Sequence, residues 1–474
     1  MGAYENGRCP SNLSAECLRL FEPRLLDRQT GASVLARAPH VCPQSSMPKR
    51  VLVVGGGAAG IFAALAAAKK GASVTILEKT VRLGTKILIS GGGKCNLTHA
   101  GPLEEVLRAF RPNEARFIRP ACYRFRPEQF VSMVEARGLA TYVRPDGRIF
   151  PVDGTAKDVV RILEDYLYEA GVETHFETPA VGLLASEGRI TGVVTGPPAE
   201  AHKGHQGSAR QGETKEWMAD AVIVSTGGSS YPNSGTTGDG WPWVRDLGHT
   251  VVKVRAALAP MYLVAERVRP EWSGVALRDI VLKARDGKEF VRWRGDLLFT
   301  HQGVSGPTVL GVSREVAERP GSSLDVDLRP DETPESLTEI LLGQPVKRLV
   351  ASYLEELVPQ RLVEGLSKDA GLEDGTAFGK LDRKTRNRLV ETIKRWNLGV
   401  VRAVPLEKGE VVAGGVALDE VDPQTMASRK VEGLYLCGEV LDVAGPVGGY
   451  NLQAAWATGF VAGESASAYL DARA

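Results

Sequence analysis

The feature that most constrains this chain is a glycine fingerprint set between two apolar runs. Residues 51–54 read VLVV, GGGAAG follows at 55–60, and SVTIL at 73–77 ends at Glu78. A short β-branched run bounded by glycines predicts a buried parallel strand. Gly55 suits a tight turn, Gly57 lets backbone approach a pyrophosphate, and Gly60 lets the next helix pack close to the strand. The alanine-rich residues 58–70 predict that helix, stopped by Gly71. Its N-terminus would offer free N–H groups and a positive dipole end to phosphates. The Glu78 carboxylate can accept hydrogen bonds from a ribose, and it would repel a 2′-phosphate, which disfavours NADP at this position. FAD and NAD both fit this much of the sequence.

A chain of 474 residues has room for about three domains. Lys plus Arg number 58 against 57 for Asp plus Glu, so no global charge draws it to nucleic acid or an anionic membrane. No apolar run approaches the roughly 18 residues of a spanning helix. Cys9, Cys17, Cys42, Cys95, Cys122 and Cys437 form no CxxC pair. That pattern is not a disulfide scaffold, and it suggests a reducing, cytoplasmic setting. His202 and His205 sit in a polar stretch without partner ligands, so no metal site is expected.

Five segments follow along the chain. Residues 1–49 are irregular and lack a signal-peptide apolar core, so they read as a disordered or dispensable leader. Residues 50–250 alternate strand and helix patterns, as an α/β domain does. Within them, 188–196 and 217–228 read as two strands of a hairpin, joined by the polar, Gly/Lys/Glu-rich residues 197–216, expected to be a surface loop. Residues 251–330 change to short strands and turns, a β-rich insert. Residues 331–407 read helical, with Leu389, Val390, Ile393 and Leu398 as apolar positions and a basic stretch across 380–395 that reads as a solvated face. Residues 408–474 return to glycine-rich chemistry.

Three further segments carry candidate chemistry. In LGTKILISGGGKCNLTHA (83–100), Gly91, Gly92 and Gly93 would let backbone come close to a flat or anionic ligand. Lys86 and Lys94 could serve phosphate or flavin carbonyl oxygens, and Asn96 can both donate and accept. A buried strand at 221–225 ends in Thr226-Gly227-Gly228, placed to pass a dinucleotide. The strand LYLC at 434–437 leads through Gly438, Glu439 and Asp442 to Gly445-Pro-Val-Gly-Gly449, and Tyr450-Asn451-Leu452-Gln453 would start the last helix. Its N-terminus would favour the negative charge of a reduced flavin. His301, after the apolar run at 296–300, could be a proton donor or a structural histidine.

These motifs, with DGRIFP (146–151), YPNSGTTGDG (231–240), LLFTHQGVSGP (297–307) and AGGV (413–416), resemble those of the BaiN/YhiN-type FAD-dependent oxidoreductases, some of which are labelled aminoacetone oxidases. The resemblance runs from about 49 to 463. It implies an α/β fold: a two-dinucleotide-binding-type Rossmann FAD domain formed by both chain ends, with an inserted β-barrel-like subdomain and a helical subdomain. It implies FAD contacts at Gly55, Gly57, Ala59, Gly60, Glu78, Lys86, Gly91, Gly92, Gly93, Cys95, Asn96, Gly438, Glu439, Asp442, Gly449, Tyr450, Asn451 and Leu452. Neighbouring Ala58, Lys79, Val181, Thr226 and Gly227 are expected to join them. Lys94 stands where arginine is commoner.

The expected activity is hydride transfer between bound FAD and a small organic substrate. No second full fingerprint accompanies the first, so NAD(P)H, if it is the reductant, would dock transiently. His301, Tyr231, Tyr450 and Cys95 are the candidates for handling protons. A flavin oxidase of small amines and an RNA-associated flavoprotein are the alternatives. The neutral net charge speaks against nucleic acid, no membrane partner is expected, and the oligomeric state is open.

Overall fold

The computed structural model describes residues 49–197 and 214–473 and resolves into two compact units. The leader to residue 48, most of the polar loop with His202 and His205, and Cys9, Cys17 and Cys42 lie outside the described residues.

The first unit takes residues up to 228, 233–252 and 414 onward. Its centre is a five-stranded sheet in the order Leu434–Leu436, Ala221–Val224, Arg50–Val54, Ser73–Leu77, Glu173–His175. All neighbours run parallel, with Val54 opposite both Val224 and Leu77, and Val224 opposite Leu436. Apolar residues fill Ala221–Val224 and Leu434–Leu436 because both faces of a parallel sheet are covered. The two halves of the chain therefore meet edge to edge in one sheet.

The first helix, Ala58–Lys69, and the closing helix, Tyr450–Asp471, pack on each other through small residues. Beside them Phe130 stacks on Trp456 with ring centres 4.6 Å apart, and Phe62 meets Phe125 edge-on at 4.9 Å. A small antiparallel sheet pairs Thr98–His99 with Arg148–Pro151, and the latter with Thr141–Val143. A second contains Ala180–Ser186, Arg189–Thr195 and Lys215–Met218. The stretch read as one strand from 217 thus divides: Lys215–Met218 closes the hairpin, and Ala221–Val224 turns into the parallel sheet.

The second unit, residues 229–232 and 253–413, is built on a closed six-stranded barrel. Its order is Met261–Leu263, Gly303–Ser305, Lys288–Thr300, Ala276–Asp286, Ser323–Asp327, Trp396–Ala403. The helices Pro334–Leu342, Val350–Leu354, Gln360–Asp369 and Arg383–Lys394 fall between two adjacent barrel strands. They form an excursion from the barrel, which takes its last strand from beyond them. Leu398 accordingly lies on that strand, whereas Leu389, Val390 and Ile393 bury the inner face of the last helix. Trp272, Phe299 and Trp396 pack together in the barrel core.

Candidate functional site

The fingerprint's glycines each answer a steric demand. Gly55 has φ +101°, and a Cβ on it would meet the Ser225 carbonyl oxygen at 2.8 Å. A Cβ on Gly60 would meet the Gly55 oxygen at 1.9 Å, which fixes the helix against the strand end. At Gly57 a Cβ would meet nothing within 4 Å. The helix that starts there has no side-chain cap and no acidic residue in its first turn. The space before it is open to a group that accepts from backbone N–H and carries negative charge.

Glu78 is only 8% exposed. Its two carboxylate oxygens accept from the N–H groups of Gly56 and Thr80, each at 2.7 Å. These bonds tie the turn to the end of the second strand and leave a lone pair on each oxygen for a hydroxyl donor. Lys79 is engaged by Thr237 at 2.6 Å and by Asp239, and Lys86 pairs with Glu439 at 2.7 Å. That pair joins the middle motif to the closing one.

Gly91, Gly92 and Gly93 take φ of 56°, 68° and 85°, and Cys95 follows at 63°. Left-handed backbone of this kind is where glycine is favoured. A Cβ on Gly91 would lie 2.8 Å from both Asn96 N and a Phe150 ring carbon, whereas Gly92 faces open space. The Asn96 amide accepts from Gly449 N–H at 2.9 Å and donates to the Thr98 carbonyl at 3.2 Å. Asn451 clamps the closing loop, accepting from Gly445 N–H at 2.8 Å and donating to the Gly445 carbonyl at 2.9 Å. Asp442 accepts from Gly414 N–H at 2.8 Å, and Gly438 N–H donates to the Thr458 hydroxyl at 3.0 Å. Leu452 is half-buried on the first turn of the closing helix, and Val181 is half-buried on the strand Ala180–Ser186.

The arrangement fits FAD. The uncapped helix start and the glycine run suit a pyrophosphate and a flat ring, and Glu78 keeps acceptor capacity for a ribose. The Thr226 hydroxyl, beside Gly227 (φ +73°), is buried without a hydrogen-bond partner among the described residues. A buried hydroxyl left unpaired costs free energy.

Two of the proton-handling candidates, Tyr450 and Cys95, belong to the first unit. Tyr450 stands at the first position of the closing helix, with its hydroxyl 3.1 Å from His99 Nε2. Burial, and then the Asp146 carboxylate, push its phenol above the usual range. Cys95 is fully buried, and burial pushes its thiol up to about 12, which favours the thiol over the reactive thiolate. Tyr231 and His301 belong to the second unit: Tyr231 has φ +50°, and His301 is exposed in the turn after Lys288–Thr300.

Two residues were not among the site candidates read from the sequence. His99 lies beside Tyr450, and Gln453 is buried, accepting from the Thr98 hydroxyl and donating to the Phe125 carbonyl, both at 2.8 Å. His99 sits on the two-residue strand Thr98–His99, too short for any alternation in the sequence to mark it. Among the described residues no group of three or more His, Cys, Asp or Glu could hold a metal, and no helix is long and apolar enough to cross a membrane.

Residues 49–465 match the family described as HI0933-like protein Rossmann domain. The chain is 31% identical over 419 residues to a Haemophilus influenzae protein named ribosomal RNA dihydrouridine synthase, covering 88% of this chain and 98% of that one. An Escherichia coli protein of the same name is 30% identical over 410 residues, 86% of this chain and 95% of its own. A Clostridium scindens protein named 3-dehydro-bile acid delta(4,6)-reductase is 30% identical over 441 residues, 88% of this chain and 99% of its own. A dinucleotide cradle assembled from both chain ends and a match across nearly all of that assembly lead to one assignment: the chain belongs to the HI0933-like Rossmann family and is an FAD-dependent oxidoreductase.

Proposed function

We propose that this enzyme saturates a carbon–carbon double bond conjugated to a carbonyl, and that its substrate is a uracil base in ribosomal RNA. The observation that carries the reading is the cradle closed by both chain ends, with a tyrosine hydroxyl at the start of the closing helix. The relatives' names add a shared chemistry. Dihydrouridine is uridine with its 5,6 double bond saturated, and a delta(4,6)-reductase also removes double bonds. FAD, when bound, would supply the hydride from its reduced ring.

The chain's own residues hold and orient the cofactor. Gly57 and the helix it starts would bind the pyrophosphate, Glu78 a ribose, and the Gly91–Gly93 run with Asn96 and Gly449 the ring. NAD(P)H docking transiently is the proposed reductant.

RNA as substrate reverses the expectation drawn from net charge. A neutral total hides a local excess: residues 380–395 hold seven Lys and Arg against Asp382 and Glu391. Lys380, Arg383, Lys384, Arg388 and Arg395 are exposed there. Such a stretch suits phosphates, and this reading places the enzyme in the cytoplasm with the ribosome.

The test is anaerobic. Flavin is reduced with NADH, NADPH or dithionite, and the enzyme is mixed with ribosomal RNA or with a 3-keto-4,6-diene steroid. A 2 Da gain at a uridine, read by nuclease digestion and mass spectrometry, is the expected result. Turnover of the steroid with no change in the RNA would overturn the RNA assignment.

A further inference from the structure

We propose that Tyr450 is the proton donor of this reduction and that His99 is the positioning residue that directs and recharges it; the proposal rests on the double-bond reading above. The two rings stack with centres 4.4 Å apart and planes 21° from parallel. The Tyr450 hydroxyl lies 3.1 Å from His99 Nε2, and His99 Nδ1 lies 2.9 Å from the Gly448 carbonyl oxygen. A carbonyl oxygen only accepts, so Nδ1 carries the hydrogen. A neutral imidazole then presents Nε2 as an acceptor, and the Tyr450 hydroxyl is the donor.

The surroundings are shaped for the pair. A Cβ on Gly147 (φ +81°) would lie 2.4 Å from His99 Nε2, and one on Gly448 (φ +146°) would lie 2.5 Å from a Tyr450 ring carbon. Bare backbone on both sides is what lets the rings meet. Phe110 stands edge-on to Tyr450 at 6.1 Å. The charged groups nearby are Asp146, paired with Arg148 on the strand that faces His99, and Arg144, which lies over the Phe150 ring. A phenol holds its proton at neutral pH, and burial, then Asp146, push that of Tyr450 further up.

One hydroxyl hydrogen serves one acceptor. With His99 neutral, that hydrogen points at Nε2. When His99 takes a second proton from solvent, Nε2–H donates to the Tyr450 oxygen and turns the hydroxyl hydrogen outward. Saturating the double bond requires a hydride equivalent at the β-carbon, which reduced FAD would supply when bound, and leaves an enolate on the substrate. The Tyr450 O–H bond then breaks, a C–H bond forms at the α-carbon, and the phenolate regains its proton from His99 Nε2. Hydride and proton together account for the two added hydrogens.

Tyr450→Phe keeps both ring contacts and removes only the hydroxyl, and His99→Phe keeps the stack without either nitrogen. In the FAD-free protein, 15N NMR at alkaline pH should show His99 protonated at Nδ1. In single turnover with pre-reduced enzyme, Tyr450→Phe should slow saturation by about 100-fold or more. His99→Phe should slow it less than Tyr450→Phe does. The comparison uses whichever acceptor the wild type reduces. A wild type that reduces no conjugated double bond overturns the reading above. An active wild type with an unimpaired Tyr450→Phe variant overturns the relay alone. A proton found on Nε2 in the FAD-free protein overturns it whatever the activity.

Discussion

Gly459 of the closing helix lies directly against the Ala59 carbonyl of the first helix: a Cβ there would sit 2.1 Å from that oxygen. One turn on, Gly463 has the same relation to the Ala63 carbonyl, also at 2.1 Å. These two contacts set how closely the C-terminal helix approaches the fingerprint helix, and so where the closing loop meets the cradle.

Gly459→Ala and Gly463→Ala should each destabilise the protein by about 2 kcal/mol, because backbone must move to admit the methyl. Gly459→Ala should also weaken FAD retention, since it displaces the helix next to Ala59. Urea unfolding and FAD release followed by fluorescence are the measurements. Two alanine variants as stable as the wild type would show that the helices have slack at this crossing.

Glu78→Ala removes the acceptor of both the Gly56 and Thr80 N–H groups. A loss of about 2 kcal/mol is expected from the two stranded donors, the larger share from the buried bond to Gly56. Glu78→Gln, which keeps one carbonyl acceptor, should lose less. Both variants should release FAD faster than wild type. FAD affinity unchanged in a folded Glu78→Ala protein would confine this carboxylate to holding the turn.

Much of this site can be read from the sequence because its signals are local. Gly55, Gly57, Gly60 and Glu78 lie within 24 residues and announce strand, turn, helix and strand by spacing alone. The joining of the chain ends is less local, yet the LYLCGE run resembles a known closing strand, and it pairs with Ala221–Val224. What stayed hidden depends on long-range pairing. His99 meets Tyr450 across 351 positions, and a lone histidine on a two-residue strand has no periodicity to betray it. The last barrel strand, Trp396–Ala403, follows directly on a helix, so its residues read as that helix's continuation. Only the pairing with Ser323–Asp327 identifies it as strand.

The three described cysteines give a chemical test of burial. Cys95, Cys122 and Cys437 are free and buried, and burial pushes the Cys95 and Cys122 thiols up to about 12 and the Cys437 thiol higher than usual. The thiolate is the reactive form, so iodoacetamide at pH 8 should leave all three unmodified in the folded protein and modify all three in guanidinium. Peptide mass spectrometry resolves each cysteine. Rapid modification of Cys95 in the native FAD-bound enzyme would restore it as a chemically active residue.

A last prediction concerns acid stability. Glu420 accepts from the Lys430 ammonium and from the Thr250 N–H, both at 2.7 Å, with His249 Nδ1 3.2 Å away. Burial opposes its ionisation, but the bonds from Lys430 and Thr250 outweigh it and hold the carboxyl at about 2. An unfolded glutamate titrates near 4.3, at about the model-peptide value. The folded state therefore binds its proton less readily than the unfolded state, and this group's stabilisation is complete above that unfolded value. It fades as pH falls through the window down to about 2. Glu420→Gln should lower Tm at pH 7, and its gap from wild type should hold to about pH 5, then narrow steadily toward pH 2. Thermal unfolding of the two proteins across that range decides the matter. A gap that stays constant to pH 2 would mean that Glu420 stabilises the loop without its charge.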